Sequence, residues 1–85
     1  MNKSADEVIN PDEHIVEVSV TRKGKLCTFY GIHDEYLNYW RSTELIDDDR
    51  AWTRDLFLRA LFPSHEAAAK ELRYIWRYRR KKAAA

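Results

Sequence analysis

The chain has one cysteine, Cys27, and three histidines, which are the side chains needed for a thiol nucleophile and its base. A thiolate becomes a strong nucleophile when an imidazole lies beside it to take its proton. The β-hairpin predicted below instead directs Cys27 toward Val20 on a buried face, where a thiol is inert. The histidines lack metal-ligand spacing, and the chain has no glycine-rich phosphate loop, CxxC or HExxH motif. We therefore expect a protein that is not an enzyme and that has no metal site and no cofactor.

A cluster of carboxylates precedes Arg50 and could coordinate a divalent cation. It lacks the glycine and the distal glutamate of an EF-hand loop. Helix capping explains the cluster more simply, because aspartate is favoured just before a helix. It could also receive a basic helix from a neighbouring copy, which makes its aspartates candidate protein-interface residues. The cluster consists of Glu44, Asp47, Asp48 and Asp49.

Cations and tyrosines recur at helical spacing near the C-terminus, which is typical of a surface that binds polyanions. Lysine and arginine could contact phosphates, and tyrosine could stack on bases. A charged outer face is also what a soluble helix normally presents, and it could pair with the acidic part of the chain. The candidate contacts to nucleic acid or another polyanion are Lys70, Arg73, Tyr74, Arg77, Tyr78, Arg80 and Lys81.

The distribution of charge along the chain is more informative than the net charge of +1. Residues 1–62 carry 8 Lys and Arg against 12 Asp and Glu, which gives −4. Residues 63–85 carry 7 against 2, which gives +5. An acidic body joined to a basic C-terminal segment predicts either a polyanionic partner or head-to-tail complementarity between copies.

The first element that must position these residues is a helix predicted over residues 64–82. Ser64 is suited to cap its N-terminus, and Pro63 ends the segment before it. No glycine or further proline interrupts the stretch. At about 100° per residue, the cations fall on one side and the apolar residues on the other. The apolar side consists of Ala68, Ala69, Leu72, Ile75 and Trp76, with Arg79 at its edge.

Residues 14–32 form a predicted β-hairpin that turns at Lys23 and Gly24. The first half alternates apolar and polar residues, which is the period of a half-buried strand. A two-residue loop places three valines and their partners on one face, and we expect that face to pack against later helices. The predicted pairs are Val20 with Cys27, Val18 with Phe29, and Val16 with Gly31.

The segment between the hairpin and the C-terminal helix leaves one choice open. Asp34 is suited to cap a helix over residues 35–45, but a third strand over residues 36–40 competes, because Tyr and Trp also favour strands. Residues 50–61 predict a further helix, whose apolar face consists of Trp52, Leu56, Phe57, Ala60 and Leu61. Leu58 falls on its polar side, as expected of a surface residue or of a contact with another chain.

At 85 residues the chain is one small domain with a core of limited size. A hydrophobic content of 45% and eleven aromatic residues argue for a folded globule. We predict a single α+β domain over residues 14–82, in which an antiparallel β-hairpin packs against two or three helices, the last one long and amphipathic. Residues 1–13 are predicted to be a flexible arm, and residues 83–85 an artificial tail.

Function is predicted as two competing hypotheses. So many rings in a small chain should leave some at the surface, where aromatic patches mark partner sites, and Tyr36, Tyr39 and Leu58 are the candidates. We expect a non-enzymatic module that acts through protein–protein contacts and self-associates into a homo-oligomer. The alternative is a nucleic-acid-binding accessory protein that uses the basic helix face. The lone cysteine and the lack of a secretory or membrane-spanning segment predict a cytoplasmic protein without a membrane partner.

Overall fold

The structure is a computed structural model that describes residues 13–84. Four strands form one antiparallel sheet in the order β1-β2-β3-β4, and a helix follows. The α+β class is confirmed, but the expected two or three helices are wrong, because the described residues contain one α-helix. The elements are β1 (Glu13–Arg22), β2 (Lys25–Asp34), β3 (Tyr39–Ile46), β4 (Asp49–Thr53), a 3-10 turn (Leu56–Leu58) and α1 (His65–Ala84).

The two ends of the described residues can be compared with the predicted limits of the domain. Residues 1–12 of the expected N-terminal arm lie outside the described residues. Glu13, which was assigned to that arm, is instead the buried first residue of β1. At the other end, α1 continues to Ala84, so the backbone of two residues of the expected tail extends the helix, and residue 85 lies outside the described residues.

The hairpin of β1 and β2 has the predicted register. Lys23 and Gly24 both have positive φ, at 51° and 77°. Positive φ at both central residues is the signature of a type I′ turn, whose twist matches that of the flanking strands. The three predicted pairs occur: Val16 opposite Gly31, Val18 opposite Phe29, and Val20 opposite Cys27.

The helix packs on the face of this hairpin that was expected to be outside. Ile15 and Tyr30 lie on that face and contact the core cluster. On the valine face, a Cβ added at Gly31 would lie 2.8 Å from the ring of Trp40, so this face is covered as well. Because β2 is apolar on both faces, the alternation in β1 could not indicate which face the helix covers. The core cluster consists of Ile32, Ala68, Leu72 and Ile75.

The helix predicted over residues 35–45 is wrong. Asp34 does act as a cap, but of a turn: its Oδ1 accepts hydrogen bonds from the backbone N–H groups of Tyr36 and Leu37, at 3.0 and 3.1 Å. Asn38 then adopts a φ of 59°, and β3 begins at Tyr39. The third-strand alternative was closer, since the strand preference of the aromatic residues outweighs their helix-like clustering.

The helix predicted over residues 50–61 is also wrong. Asp47 and Asp48 have φ values of 54° and 65°, so they form a second two-residue hairpin turn rather than a helix cap. The chain continues as β4 and then as the 3-10 turn. Asp55 caps that turn by accepting a hydrogen bond from the N–H of Phe57 at 2.9 Å.

The chain after the 3-10 turn inserts between β2 and β3. These strands pair at two positions near their shared turn. Farther along, the N–H of Ala60 donates to the carbonyl of Arg41 at 2.7 Å, and Phe62 exchanges two hydrogen bonds with Tyr30, at 2.7 and 2.9 Å. The inserted segment thus pairs with backbone groups of both strands and leads to the start of α1.

The two-sided character of α1 is confirmed. Ser64 caps the helix, because its Oγ accepts a hydrogen bond from the N–H of Ala67 at 3.1 Å. Arg73 and Arg77 are exposed, as expected. Within residues 13–84, no helix combines the length and hydrophobicity needed to cross a membrane. The buried inward-facing residues are Ala68, Leu72 and Ile75, and Trp76 is half-buried.

A buried arginine joins β3 to β4 and to α1. The side chain of Arg41 is 1% exposed. Its Nε donates to Glu71 at 3.0 Å, its Nη1 to the carbonyl of Arg50 at 2.8 Å, and its Nη2 to Asp49 at 2.7 Å. The guanidinium also lies 5.3 Å from the ring centroid of Trp52. An unpaired buried charge would be prohibitive, so these three acceptors are a condition of the fold.

Arg41→Met should lower the free energy of unfolding by about 3–5 kcal/mol, since it leaves the largely buried Asp49 without its cation and Glu71 with Arg50 alone. Arg73→Met, at an exposed arginine of α1, is the matched control and should change stability by less than about 0.5 kcal/mol. Equilibrium unfolding in urea measures both. A loss below about 1 kcal/mol for Arg41→Met would contradict the importance assigned to this cluster.

Trp76→Ala should cost about 3–5 kcal/mol, because the ring packs against the core cluster. The indole Nε1 is buried near the Glu13 carboxylate but has no hydrogen bond among the described residues. Trp76→Phe keeps most of the packing and loses only the indole N–H, so it should be much milder. Thermal or urea unfolding distinguishes the two, and equal losses would show that the indole N–H contributes to stability.

Candidate functional site

Ion pairs inside the fold determine which charges remain for a partner. Arg79 forms a bidentate pair with Glu13, with hydrogen bonds of 2.7 and 2.9 Å. Asp49 and Glu71 are taken by Arg41. Asp49 therefore binds a buried arginine of its own sheet. The expectation that Asp47, Asp48 and Asp49 would together receive a basic helix fits the geometry only for the two exposed members, Asp47 and Asp48.

Burial raises the pKa of Glu13 above its ordinary value of about 4.5, and the nearby carboxylate of Asp34 acts in the same direction. The guanidinium of Arg79 opposes this shift, but the loss of solvation is the larger effect. The folded state therefore disfavours the ionised form of Glu13 relative to the unfolded chain.

The outer face of α1 carries the predicted polyanion-binding residues. Tyr74 and Tyr78 stack on each other, with ring centroids 6.0 Å apart and an interplanar angle of 27°. Lys70, Arg77 and Lys81 are exposed and have no carboxylate partner among the described residues. Arg73 is exposed but pairs with Glu66 at 3.7 Å, whereas the other predicted cations and both rings lie together on one surface.

Two open clefts flank Tyr74 on this surface. The C-terminal cleft has a volume of about 620 Å³, and the N-terminal cleft about 340 Å³. Tyr74 and Arg77 line both. The C-terminal cleft is completed by Tyr78, Arg80 and Lys81, and the N-terminal cleft by Phe62, Ala67, Lys70 and Glu71.

A second surface surrounds the 3-10 turn, and sequence reasoning missed it. Phe57 is 97% exposed and Leu56 is 54% exposed, and we call these two residues the protrusion. The predicted helix placed both on an inward face. The signal that could have revealed them is the run of three apolar residues ending at Leu58, which one amphipathic face cannot accommodate. A groove of about 590 Å³ adjoins the protrusion and is lined further by Val20, Arg22, Thr43, Arg59 and Leu61.

The sequence-based interface candidates lie in three different places. Tyr36 is 79% exposed in the turn between β2 and β3. Tyr39 is half-buried at the start of β3, with the guanidinium of Arg54 4.4 Å from its ring centroid. Leu58 is half-buried next to the protrusion, and its carbonyl accepts hydrogen bonds from two side chains of β3. Of these residues, Leu58 adjoins the newly found surface.

The cysteine and the histidines are spread over the sheet. Cys27 and His33 are six residues apart on β2, which is about 20 Å along an extended strand. The Nε2 atom of His14 lies 3.0 Å from Glu35, and that of His33 lies 3.0 Å from Asn38. Among the described residues, no group of three or more His, Cys, Asp or Glu side chains is arranged to hold a metal ion.

Comparison of the chain with protein-family models, with curated proteins and with solved structures finds no match. The function is therefore inferred from the protrusion with its groove and from the basic face of α1.

The raised pKa of Glu13 predicts a pH dependence of stability. Between the unfolded and folded pKa values the folded chain binds more protons, so this contribution is present at low pH and is lost as pH rises through the folded pKa. The free energy of unfolding of the wild type, minus that of Glu13→Gln, should therefore fall as the pH rises above the ordinary glutamate pKa of about 4.5. Urea unfolding at several pH values tests this, and a difference that rises with pH would refute it.

Proposed function

We propose that the protein is a non-enzymatic interaction module that associates with a second copy of itself through the protrusion and its groove. The observation that carries this proposal is the exposure of Phe57, a large apolar ring held outside the core by a capped turn. Exposed aromatic residues beside an apolar groove are typical of protein–protein interfaces.

A second copy is favoured because the protrusion and the groove adjoin on one surface. In a two-fold symmetric dimer each copy uses the same patch, so the patch must complement itself. Here Phe57 of one copy can enter the groove of the other, whose lining includes Val20 and Leu61, and the reverse contact follows by symmetry. This arrangement removes both exposed rings from water at once.

The charges around the protrusion and the groove also favour association of two copies. The groove contains Arg22 and Arg59, whose guanidinium groups lie over the rings of Phe29 and Trp40 at 4.8 and 4.7 Å. The protrusion follows directly on Asp55. In the dimer, a carboxylate that accompanies the protrusion would approach two cations at the groove, which favours the correct orientation of the copies.

The surface is small, so we expect a weak, reversible dimer with a dissociation constant on the order of 10 µM. Tyr36, Tyr39 and Asp47 to Asp49 remain proposals for further protein contacts, since they lie in other parts of the sheet. A cytoplasmic location also remains a proposal, supported by Cys27, which is a free thiol.

Phe57→Ala should weaken dimerisation about 30-fold or more, because it truncates the central apolar contact. The ring is almost fully exposed in the single chain, so stability should change by less than about 0.5 kcal/mol. Leu26→Ala is the matched control: Leu26 is 73% exposed, but it lies on the other face of the hairpin from Val20. Sedimentation equilibrium over micromolar concentrations measures the effect. A wild type that stays monomeric, or equal effects of the two variants, would contradict the proposal.

Asp55→Asn removes the negative charge but keeps the 3-10 turn, because asparagine can still accept the hydrogen bond that caps this turn. We expect dimerisation to weaken about 2- to 5-fold and to lose part of its salt dependence. An unchanged dissociation constant and salt dependence would remove the electrostatic part of the proposal and leave the apolar contact.

A further inference from the structure

Tyr74 is the aromatic ring on α1 best placed to meet a ligand. It is 39% exposed and lines both clefts of the outer face. Tyr78 is half-buried, and its ring is already contacted by Tyr74 and by the ammonium group of Lys82, which lies 5.6 Å from the ring centroid. A planar group entering either cleft would therefore meet Tyr74 first.

The cations around Tyr74 differ in their ion-pair partners from the arginines at the contact between α1 and the sheet. Arg79 and Arg41 are neutralised by carboxylates inside the fold. Among the described residues, Arg77 and Lys81 have no such partner, and they lie one helical turn apart, about 6 Å along the axis. Lys70, which lines the N-terminal cleft, continues this row of cations along the helix. Positive charge is thus concentrated on both sides of one exposed ring.

We propose that the outer face of α1 binds single-stranded nucleic acid, with a base stacked on Tyr74 and phosphates contacted by Arg77, Lys81 and Lys70. Stacking on an aromatic side chain together with a row of cations is the mode by which proteins hold single strands without sequence preference. A duplex keeps its bases stacked on one another, so it offers phosphates to the cations but no free base face to Tyr74. An acidic peptide likewise offers charge without bases.

This binding is independent of the self-association proposed above, because the two surfaces share no residue. Phe57→Ala should leave it intact at the level of a single chain. A strand that spans two copies of a dimer would bind more tightly to the wild type than to that variant, by linking two sites.

Fluorescence anisotropy with a labelled oligothymidylate of about 12 nucleotides, in about 50 mM salt, tests the stacking contact. Tyr74→Ala should lower the affinity about 5- to 100-fold, whereas Tyr74→Phe should keep it, because the ring is retained. If the alanine variant folds poorly, the preference of the wild type for a single strand over a duplex of equal length tests the stacking contact instead. Equal affinity of Tyr74→Ala and wild type, or a large loss with Tyr74→Phe, would overturn the stacking assignment.

A salt titration tests the phosphate contacts. Arg77→Gln should lower the affinity and reduce the slope of log affinity against log salt by about 0.7, the value for one single-strand phosphate. Lys25→Gln, at an exposed lysine of the hairpin, is the control and should leave the slope unchanged. The affinities for a duplex of equal length and for polyglutamate are measured in the same way and compared with that for the single strand. If either binds as tightly as the single strand, or if the single strand fails to bind at low salt, the proposal is wrong.

Discussion

The buried guanidinium of Arg41 is the interaction on which the arrangement of the chain depends. Three acceptors from β4 and α1 surround it, at 2.7 to 3.0 Å. A charge removed from water is tolerated only with such partners, so the position of the helix relative to β3 and β4 is coupled to the hydrogen bonding of one side chain. Arg79 and Glu13 form a similar contact between α1 and β1. The half-buried ring of Trp52 lies within 6 Å of both guanidinium groups.

These ion pairs also determine which charged side chains of a nearly neutral chain stay exposed to solvent. Three carboxylates at the contact between α1 and the sheet, Glu13, Asp49 and Glu71, pair with arginines inside the fold. The cations on the opposite side of α1 lie outside their reach and stay in solvent, where they can attract a polyanion. A net charge of +1 therefore conceals a strongly polarised surface. The apolar protrusion, which lies beside β1 rather than on the outer side of α1, adds a second and chemically different surface.

Several features were predictable from local sequence. Lys23-Gly24 between the two strands determined the hairpin register, and Ser64 with the uninterrupted stretch after it determined the start and faces of α1. The polyanion candidates were predictable too, since helical spacing alone places Arg77 and Lys81 on one side. The structure of the middle of the chain, between the hairpin and α1, was not predictable from local sequence. Aspartates precede both helices and turns, and Asp47 and Asp48 adopt left-handed backbone that a helix cap does not require.

The sequence by itself thus determined the two elements whose geometry depends on neighbours within a few residues. Tertiary structure decided the rest: which face of the hairpin the helix covers, the insertion of residues 59–62 between β2 and β3, the pairing of Arg41, and the exposure of Phe57. The physical reason is that each of these depends on partners far apart in the chain. Arg41 and Glu71 are separated by thirty positions, and Glu13 and Arg79 by sixty-six. No local pattern encodes such a pairing, whereas burial of charge and apolar area in one compact body requires it.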